Sequence, residues 1–455
     1  MLCDFIQTDK NDKKPMYRQI YLSVRRAIEN GSLKQGSKLP SIRSLCAEKG
    51  ISKTTVTAAY EQLCAEGYIL NKPKSGYYVA ATFERQPKAE NTLLKPAAQT
   101  RFFRYDFSGK SIDDSIVDLA EWKKCIKDVI NRTYLLTSYG DAQGEEALRL
   151  ALQKYALGIR SANAPADSIV VGAGTQAILY LLCSLVGSRK TVVMEKGSFV
   201  QSEYIFQSFH YKIIYAETDE SGVTAEALKK HSPDIILINP NAAGTHGDNM
   251  PVMRRLELIE WAQNNNALIF EDDYNGELRY STLPTPCVQN YDSENTVYIG
   301  SFSKVLLPSV RLSYTVLPPV LLERYKGVKR LMNQTASKTE QLALAQYINN
   351  GKIDVHLRKA RRIYLQKSKA MRKSLKSYLP GADIAFNETS LYLTVTPPFA
   401  IDRDKALALM AENSLRLMNY SGQSPAFALS FSGIDTDSID EGVRLCCEII
   451  KKCRV

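Results

Sequence analysis

The sequence lacks the features that mark secreted, membrane-spanning and zinc-binding proteins. Its nine cysteines are scattered without a CxxC pair, and its four histidines do not cluster with them. We therefore expect no disulfide framework and no metal site, and a reducing cytoplasm fits this composition. The longest apolar stretch, residues 177–183, is far shorter than the ~20 residues that a membrane span requires. No charged segment followed by an apolar segment opens the chain, so we expect neither secretion nor a membrane partner.

The chain does have length and an uneven distribution of charge. With 455 residues the chain is too long to fold around one ordinary hydrophobic core, so we expect two or three domains. Residues 1–82 carry 13 Lys and Arg against 7 Asp and Glu, a net charge of +6, whereas residues 105–455 carry only +2. A basic N-terminal region is typical of a domain with a polyanion partner, although a solvated basic surface would give the same count.

The first 82 residues have the pattern of three helices followed by a hairpin. Apolar residues at helical spacing, including Ile20 and Val24, predict a first helix. Ser41 and Ser52 are positioned as N-caps of a second and a third helix. Two short apolar runs flank residues 71–76 and predict a β-wing.

A linker and a change of pattern follow. Residues 83–104 contain two prolines and few apolar side chains, which is typical of a linker. From residue 105 to residue 455, short apolar runs alternate with helical patterns and predict a mostly parallel sheet covered on both faces. The expected strands are residues 169–171, 191–194, 235–238, 267–270 and 296–299. A long helix, about residues 339–379, and strand-like segments after it predict a smaller α+β domain at the C-terminus.

Four short motifs in residues 15–68 carry a first family resemblance. They read PMYRQI from residue 15, LPSIRSL from residue 39, SKTTV from residue 52 and YEQL from residue 60, before a Gly-Tyr pair. This set resembles the GntR-type winged helix, whose third helix places its N-terminal residues against base edges in the major groove. The resemblance implies double-stranded operator DNA as a partner, bound through Ser41, Arg43, Ser52, Lys53, Thr54, Thr55, Lys72, Lys74 and Gly76.

For any one of these residues a structural role is the alternative. Thr54 and Thr55 would then only cap a helix, and Arg43 would only form a surface ion pair. The whole pattern favours DNA binding.

A second set of motifs lies in the C-terminal region. Residues 139–144 read YGDAQG, and residues 173–176 read AGTQ between a predicted strand and helix, where backbone amides form a phosphate site. Residues 270–274 read FEDDY, and residues 300–304 read GSFSK, seven residues before Arg311. This set resembles the fold-type I aminotransferases, which bind pyridoxal 5'-phosphate (PLP). Joined to the winged helix, the whole chain resembles a MocR-type transcription regulator.

The resemblance implies a role for each residue of this set. Lys304 would form a Schiff base with PLP, which requires an amine that can lose its proton. Asp272 would pair with the protonated pyridine nitrogen and Tyr274 would hydrogen-bond the ring oxygen, with Asp273 as a rival for the ring contact. The other implied cofactor contacts are Gly174, Thr175, Gln176, Phe199, Asn241, Ser301, Ser303, Arg311 and, from across a dimer interface, Tyr139.

The position that holds the substrate carboxylate departs from the aminotransferase pattern. Residues 427–432 read FALSFS, so Ala428 stands where these enzymes have an arginine. Arg416 lies too early in the sequence to be a good substitute. Loss of a bidentate guanidinium removes charge-assisted hydrogen bonds worth ~1.5–3 kcal/mol each.

Two further positions depart from the family. Residues 239–247 lack the usual amide that touches the ring oxygen; either Asn241 supplies it or the contact is lost, and we expect His246 to be a neutral loop residue. Phe199 stands where the family often has Tyr, which keeps ring stacking but loses a hydroxyl.

These features predict a PLP-dependent transcription regulator with little or no transamination. The alternatives are an active aminotransferase that carries a DNA-binding domain, and a repressor whose large domain only dimerises. The effector is either PLP itself or a small amine or amino acid, and Ala428 favours a ligand that does not need the usual arginine. The resemblance also implies a domain-swapped, head-to-tail homodimer.

Overall fold

The computed structural model describes most of the chain as two compact units, Met1–Arg101 and Phe102–Val455. The described residues are 5–9, 12, 14–80, 103–197, 199–244, 249–280, 285–419 and 426–455. Most of the predicted linker, residues 83–104, and the predicted loop residue His246 lie outside them. No helix in these described ranges is long and apolar enough to cross a membrane.

The first unit has the three helices and the hairpin that the sequence predicts. Its elements are α1 (Met16–Glu29), α2 (Ile42–Lys49), α3 (Lys53–Ala65), β1 (Ile69–Lys72) and β2 (Gly76–Val79). The core is formed by side chains that the helical spacing places inward, among them Ile20, Val24, Val56, Tyr60 and Leu63. The hairpin is antiparallel, from Ile69 opposite Val79 to Lys72 opposite Gly76. This arrangement confirms the predicted winged helix.

The second unit is built on a seven-stranded sheet. Its strands, in spatial order, are β4 (Ile169–Gly172), β12 (Ser313–Val316), β11 (Thr296–Ser301), β10 (Leu268–Asp273), β9 (Ile235–Ile238), β5 (Thr191–Met194) and β6 (Lys212–Tyr215). Neighbours run parallel except at β12, which is antiparallel to both β11 and β4. The five predicted strands are all present, and β6 and β12 are the two that the sequence pattern missed.

Helices cover both faces of this sheet. They are α4 (Leu119–Ile130), α5 (Thr133–Leu136), α6 (Glu146–Arg160), α7 (Thr175–Val186), α8 (Val200–Ser208), α9 (Ala225–His231), α10 (Val252–Asn265) and α11 (Pro319–Val328). Alternate residues of β9 enter different apolar clusters: Ile235 and Leu237 pack with side chains of α7 and α8, whereas Ile236 and Ile238 pack with those of α9 and α10. The sheet is therefore buried on both faces, as the continuous apolar runs predict.

The C-terminal part adds a smaller α+β layer. Its elements are α12 (Lys338–Asn349), α13 (Lys352–Tyr378), β13 (Asp383–Phe386), β14 (Tyr392–Thr396), α14 (Arg403–Glu412), β15 (Leu415–Leu417), β16 (Phe427–Ser430) and α15 (Ile439–Lys452). Strands β13, β14 and β16 form an antiparallel sheet, and β15 pairs in parallel with β3 (Tyr105–Phe107). A two-residue hairpin, β7 (Thr218–Asp219) with β8 (Gly222–Val223), completes the strands in the described ranges.

The prediction of one long helix over residues 339–379 is wrong. The chain forms two helices, and Gly351 between them has φ +66°, which interrupts the helical path. Glycine adopts this left-handed conformation at little cost, so the Asn350–Gly351 pair ends α12 and begins α13.

Candidate cofactor site and DNA-binding surface

Four segments of the second unit meet at one edge of its main sheet. Ser301, at the end of β11, lies opposite Ser313 of β12, and Ser313 lies opposite Gly172 of β4. Next to β11, the last residue of β10, Asp273, lies opposite Gly300. The loop with Lys304, the start of α7 and the acidic end of β10 therefore all leave the sheet at the same edge, where open α/β sheets bind ligands.

Lys304 is partly buried in the loop that follows β11. Its ammonium donates a hydrogen bond to the Gly109 carbonyl. Burial lowers the pKa of the Lys304 amine. A lysine with a lowered pKa has a larger neutral fraction, which is the form that attacks an aldehyde.

The adjacent carboxylates of Asp272 and Asp273 have opposite environments. Asp273 is fully buried and accepts hydrogen bonds from Arg160 Nε at 2.5 Å, Asn241 Nδ2 at 2.5 Å and the Tyr298 hydroxyl at 2.7 Å. Asp272 is partly exposed and has no hydrogen-bond partner among the described residues. Successive strand residues point to opposite faces, so the two acids cannot share a role. The free carboxylate at this edge is that of Asp272.

The surroundings of Asp272 and Tyr274 shift both pKa values upward. Burial, with a smaller contribution from the charge of Asp273, raises the pKa of Asp272 to about 7. Tyr274 is 37% exposed, and burial raises the pKa of its hydroxyl to about 12. At neutral pH the Tyr274 hydroxyl is therefore a donor, and Asp272 is poised to ionise beside a cation.

The Asn241 side chain belongs to a buried network. Besides its bond to Asp273, its Oδ1 accepts from Arg160 Nη2 at 3.5 Å. Its backbone carbonyl accepts from Asn387 Nδ2 at 2.6 Å and from Thr389 Oγ1 at 2.7 Å. Asn241 is 2% exposed and its side-chain amide is engaged by Asp273, so its contact with the ring oxygen stays a prediction.

Donors that suit an anion lie together at the N-terminus of α7. Gly174 precedes the helix with φ +91°, and a Cβ there would lie 2.4 Å from Arg311 Nη2. Arg311 Nη1 also donates to Ser303 Oγ at 3.4 Å. Helix N-terminal amides and a guanidinium attract the same ligand, a phosphate or another anion. Thr175 and Gln176 form the first turn of α7, and Gln176 is exposed.

For three other predicted cofactor contacts, the structure gives a position but no neighbour that points to PLP. Ser301 Oγ accepts from Ser313 Oγ at 3.0 Å, which fixes it below the loop. Phe199 is the N-cap of α8 and packs, partly buried, against the core. The Tyr139 side chain is 98% exposed, so within one chain its ring is covered by almost nothing. Such a ring is available to a partner chain.

The strand that carries Ala428 has two distinct faces. Phe427 and Leu429 pack into the main core, whereas Ser430, on the same face as Ala428, lies against Gly109. Arg416 is engaged elsewhere, because its Nε donates to Asp106 at 3.1 Å and its guanidinium lies 4.8 Å from the Phe103 ring. Arg416 therefore does not replace the missing arginine.

In the first unit, six of the predicted DNA contacts lie at the starts of α2 and α3, and the other three, Lys72, Lys74 and Gly76, lie in the wing. Ser41 and Ser52 cap these helices, accepting from the Ser44 and Thr55 amides at 3.0 and 3.3 Å. Ser52 Oγ also lies 3.0 Å from Thr54 Oγ1 and 2.7 Å from Thr55 Oγ1. The threonines thus support the cap, as the structural alternative predicts.

The cations among these predicted DNA contacts are exposed and could reach a phosphate. Arg43, Lys53 and Lys74 are exposed and form no ion pair within the part of the chain that the structure describes. Lys72 Nζ lies 4.8 Å from the centre of the Tyr78 ring, and Gly76 begins the second strand of the wing with φ +111°. The wing and the two helix starts therefore carry cations that form no ion pair with an acid among the described residues.

Comparisons with known proteins identify both units. Residues 16–79 match the family model described as "Bacterial regulatory proteins, gntR family". The chain is 31% identical to the uncharacterized HTH-type transcriptional regulator YhdI of Bacillus subtilis (strain 168), over 96% of each chain. It is 27% identical to the probable rhizopine catabolism regulatory protein MocR of Rhizobium meliloti, over 96% of this chain and 94% of that protein. The chain belongs to the MocR-type transcription regulators.

Another member of this family and the solved structures extend the comparison. The HTH-type pyridoxine biosynthesis transcriptional regulator PdxR of Corynebacterium glutamicum is 26% identical over 82% of each chain. An archaeal alanine:glyoxylate aminotransferase superposes with a TM-score of 0.70 at 21% identity, over 78% of this chain and 92% of that chain. A Pyrococcus horikoshii kynurenine aminotransferase, solved with PMP, gives a TM-score of 0.68 at 22% identity, with the same coverage. The second unit thus has the predicted aminotransferase fold.

Proposed function

We propose that this regulator binds PLP covalently through Lys304 and that this binding changes its affinity for operator DNA. The observation that supports this most strongly is the difference between the two adjacent acids. Asp273 is bonded by Arg160, Asn241 and Tyr298, while Asp272 has no partner among the described residues. A partly buried carboxylate without a partner is costly, so its presence suggests a cationic ligand.

The residues at this edge suit the chemical groups of PLP. The α7 amides, Arg311 and Ser303 would hold its phosphate, and none of them binds a carboxylate among the described residues. Asp272 would keep a proton on the pyridine nitrogen, and Tyr274 would donate to the phenolic oxygen. When bound, PLP supplies an aldehyde that condenses with an amine, and the lowered pKa of Lys304 makes that amine available.

We infer that transamination is weak or absent. Ala428 offers no charge to a substrate carboxylate, and Arg416 is engaged by Asp106. The effector is then PLP itself, or an amine or atypical amino acid that needs no arginine at this position. The name of PdxR connects one relative to pyridoxine synthesis, which favours the first choice. An active aminotransferase with a DNA-binding domain is the competing function.

A titration distinguishes these functions. Purified protein is titrated with PLP and then with common L-amino acids, while the visible absorbance of the lysine-bound cofactor is recorded. We expect saturation by PLP and little response to amino acids. A normal amino-acid response by the wild type would overturn the proposal of weak turnover.

We also propose the arrangement in which this chemistry works. The functional domains are residues 1–82 for DNA binding, residues 83–104 as a linker and residues 105–455 for cofactor binding and dimerisation. The protein acts as a head-to-tail homodimer in the cytoplasm, where Tyr139 of one chain reaches the phosphate of the other site. Sedimentation with and without PLP tests the dimer, and Tyr139→Ala should weaken PLP binding without unfolding either unit.

A further inference from the structure

Helix α13 concentrates positive charge in the second unit. Between Lys352 and Tyr378 it carries ten Lys or Arg and one Asp, a net charge of +9. Residues 105–455 together carry only +2, so the rest of that region has a net charge of −7. A single helix therefore accounts for the whole positive balance of an otherwise acidic unit.

Five of these cations form a line on the solvent side of the helix, which we call the basic stripe. Its members, all exposed, are Arg358, Arg362, Lys369, Lys373 and Lys376. Steps of three or four residues keep side chains on one helical face, and the uncharged Gln366 fills the single larger gap. At 1.5 Å per residue, the stripe is about 27 Å long.

The opposite face of α13 is fixed in the core. Leu357, Ala360, Tyr364, Met371 and Leu375 are all buried there. The stripe therefore cannot turn inward, and the helix has no free apolar face with which to enter a lipid surface.

The stripe has no neutralising partners within the described ranges. None of its five cations forms a salt bridge there, whereas Lys352 and Lys367 on the same helix pair with Glu121 and Asp113. On the packed helix α15, Asp440 is hydrogen-bonded to Ser374 and Tyr378 and is influenced by Lys373 without forming a salt bridge with it. On α13 itself, Asp354 lies four residues before Arg358 and forms no salt bridge among the described residues. Surface charges usually alternate in sign, so a long unpaired row suggests a polyanion.

We propose that the basic stripe binds the phosphate backbone of double-stranded DNA, as a second contact surface outside the winged helix. The winged helix brings duplex DNA to this protein, which makes DNA the polyanion at the highest local concentration. A row about 27 Å long matches the axial length of roughly eight base-pair steps of a duplex, at 3.4 Å per step. We expect this contact to be independent of sequence, because contacts to phosphate oxygens carry no direct sequence information.

The test uses the full chain with its winged helix disabled by Arg43→Ala and Lys53→Ala. Its binding to a random-sequence duplex of about 60 base pairs is measured by fluorescence anisotropy at several salt concentrations. We expect residual, salt-dependent binding. Changing the five stripe residues to Gln should weaken this binding at least about tenfold and reduce the salt slope by up to ~4.5, since each lost phosphate contact contributes ~0.9.

A matched variant removes the same charge from elsewhere in the same unit. It changes five exposed lysines that form no salt bridge in the described ranges to Gln: Lys154, Lys229, Lys405, Lys451 and Lys452. It should bind the duplex like its parent, and thermal melting should show that both variants fold. Equal loss in both variants, or unchanged binding by the stripe variant, would overturn the proposal. The proposal would also be overturned if the stripe variant kept its binding to duplex DNA but lost binding to duplex RNA, to an acidic peptide or to anionic vesicles.

Discussion

The Lys304 ammonium donates a hydrogen bond to the carbonyl oxygen of Gly109. Gly109 has φ +71°, and a Cβ at this position would lie 3.1 Å from the Cβ of Ser430. Ser430 shares its strand face with Ala428. The lysine expected to capture the cofactor is thus joined, through one glycine, to the strand that has lost the carboxylate-binding arginine. Gly109 therefore lies between Lys304, the predicted cofactor lysine, and the strand of Ala428, the predicted substrate-carboxylate position.

The two adjacent acids should respond in opposite ways to the same substitution. Asp272→Asn should weaken PLP binding at least about tenfold, because a neutral amide does not stabilise the pyridinium. Asp273→Asn should cost about 3–5 kcal/mol of unfolding free energy, because it leaves the buried Arg160 guanidinium without its counter-ion. Denaturant unfolding and PLP titration of both variants check this. If Asp273→Asn folds normally and loses PLP instead, the assignment is reversed.

The PLP-free protein should become less stable as the pH rises through the titration range of Asp272. The folded pKa is about 7, against an ordinary value of 3.8, so the folded state holds a proton that the unfolded state releases. That stabilisation is complete below about pH 4 and is lost by about pH 7. The Asp272→Asn variant has no carboxyl to ionise, so its free energy of unfolding does not fall over this pH range. At pH 8 it should therefore be more stable than wild type by ~1–3 kcal/mol, and this difference should shrink toward pH 5. A gain that does not depend on pH would contradict the raised pKa.

Two glycines at the ends of α7 separate steric from backbone effects. Gly174 and Gly187 have similar conformations, with φ +91° and +98° and ψ 166° and 173°, but a Cβ at Gly187 meets nothing within 4 Å. Changing either to Ala should cost about 1–3 kcal/mol of stability, because this backbone region suits only glycine. Only Gly174→Ala should also displace Arg311 and weaken PLP binding. Equal PLP affinity in the two variants would argue against the phosphate site at α7.

The cations of the winged helix should act through phosphate or base contacts. Lys53→Ala or Arg43→Ala should weaken binding to selected operator DNA, and a lost phosphate contact should reduce the salt slope by about 1. Lys34→Ala is the control, since Lys34 is an exposed cation of the same unit outside the proposed surface. If Lys34→Ala weakens binding as much, the effect is general charge rather than a defined contact.

Much of the fold follows from local patterns. The spacing of Ile20, Val24, Val56 and Tyr60 predicts helix faces that the structure buries, since helical geometry alone decides which side chains align. The continuous apolar runs predict central strands, because both sheet faces are covered. Strand β12 was not predicted, because its Ser-Tyr-Thr-Val sequence is not a continuous apolar run, although every residue in it is buried.

The site required information that no local pattern contains. The choice between Asp272 and Asp273 depends on Arg160, which is 113 residues away in sequence. Gly109 was missed for the same reason, as it is 195 residues from Lys304. The motifs predict candidate site residues, while the hydrogen-bond partners that distinguish neighbouring candidates come from tertiary contacts. By contrast, the break between α12 and α13 could have been predicted from the Asn350–Gly351 pair, since glycine commonly ends a helix.

The central claim is that PLP capture by Lys304 changes DNA binding. The most direct test selects DNA fragments on the full-length protein with and without PLP, for wild type and for Lys304→Ala, and sequences what is retained. We predict that PLP changes the amount or the identity of the DNA retained by wild type. The Lys304→Ala protein should retain one set of fragments whether or not PLP is present. A Lys304→Ala protein that responds to PLP as wild type does would contradict the account.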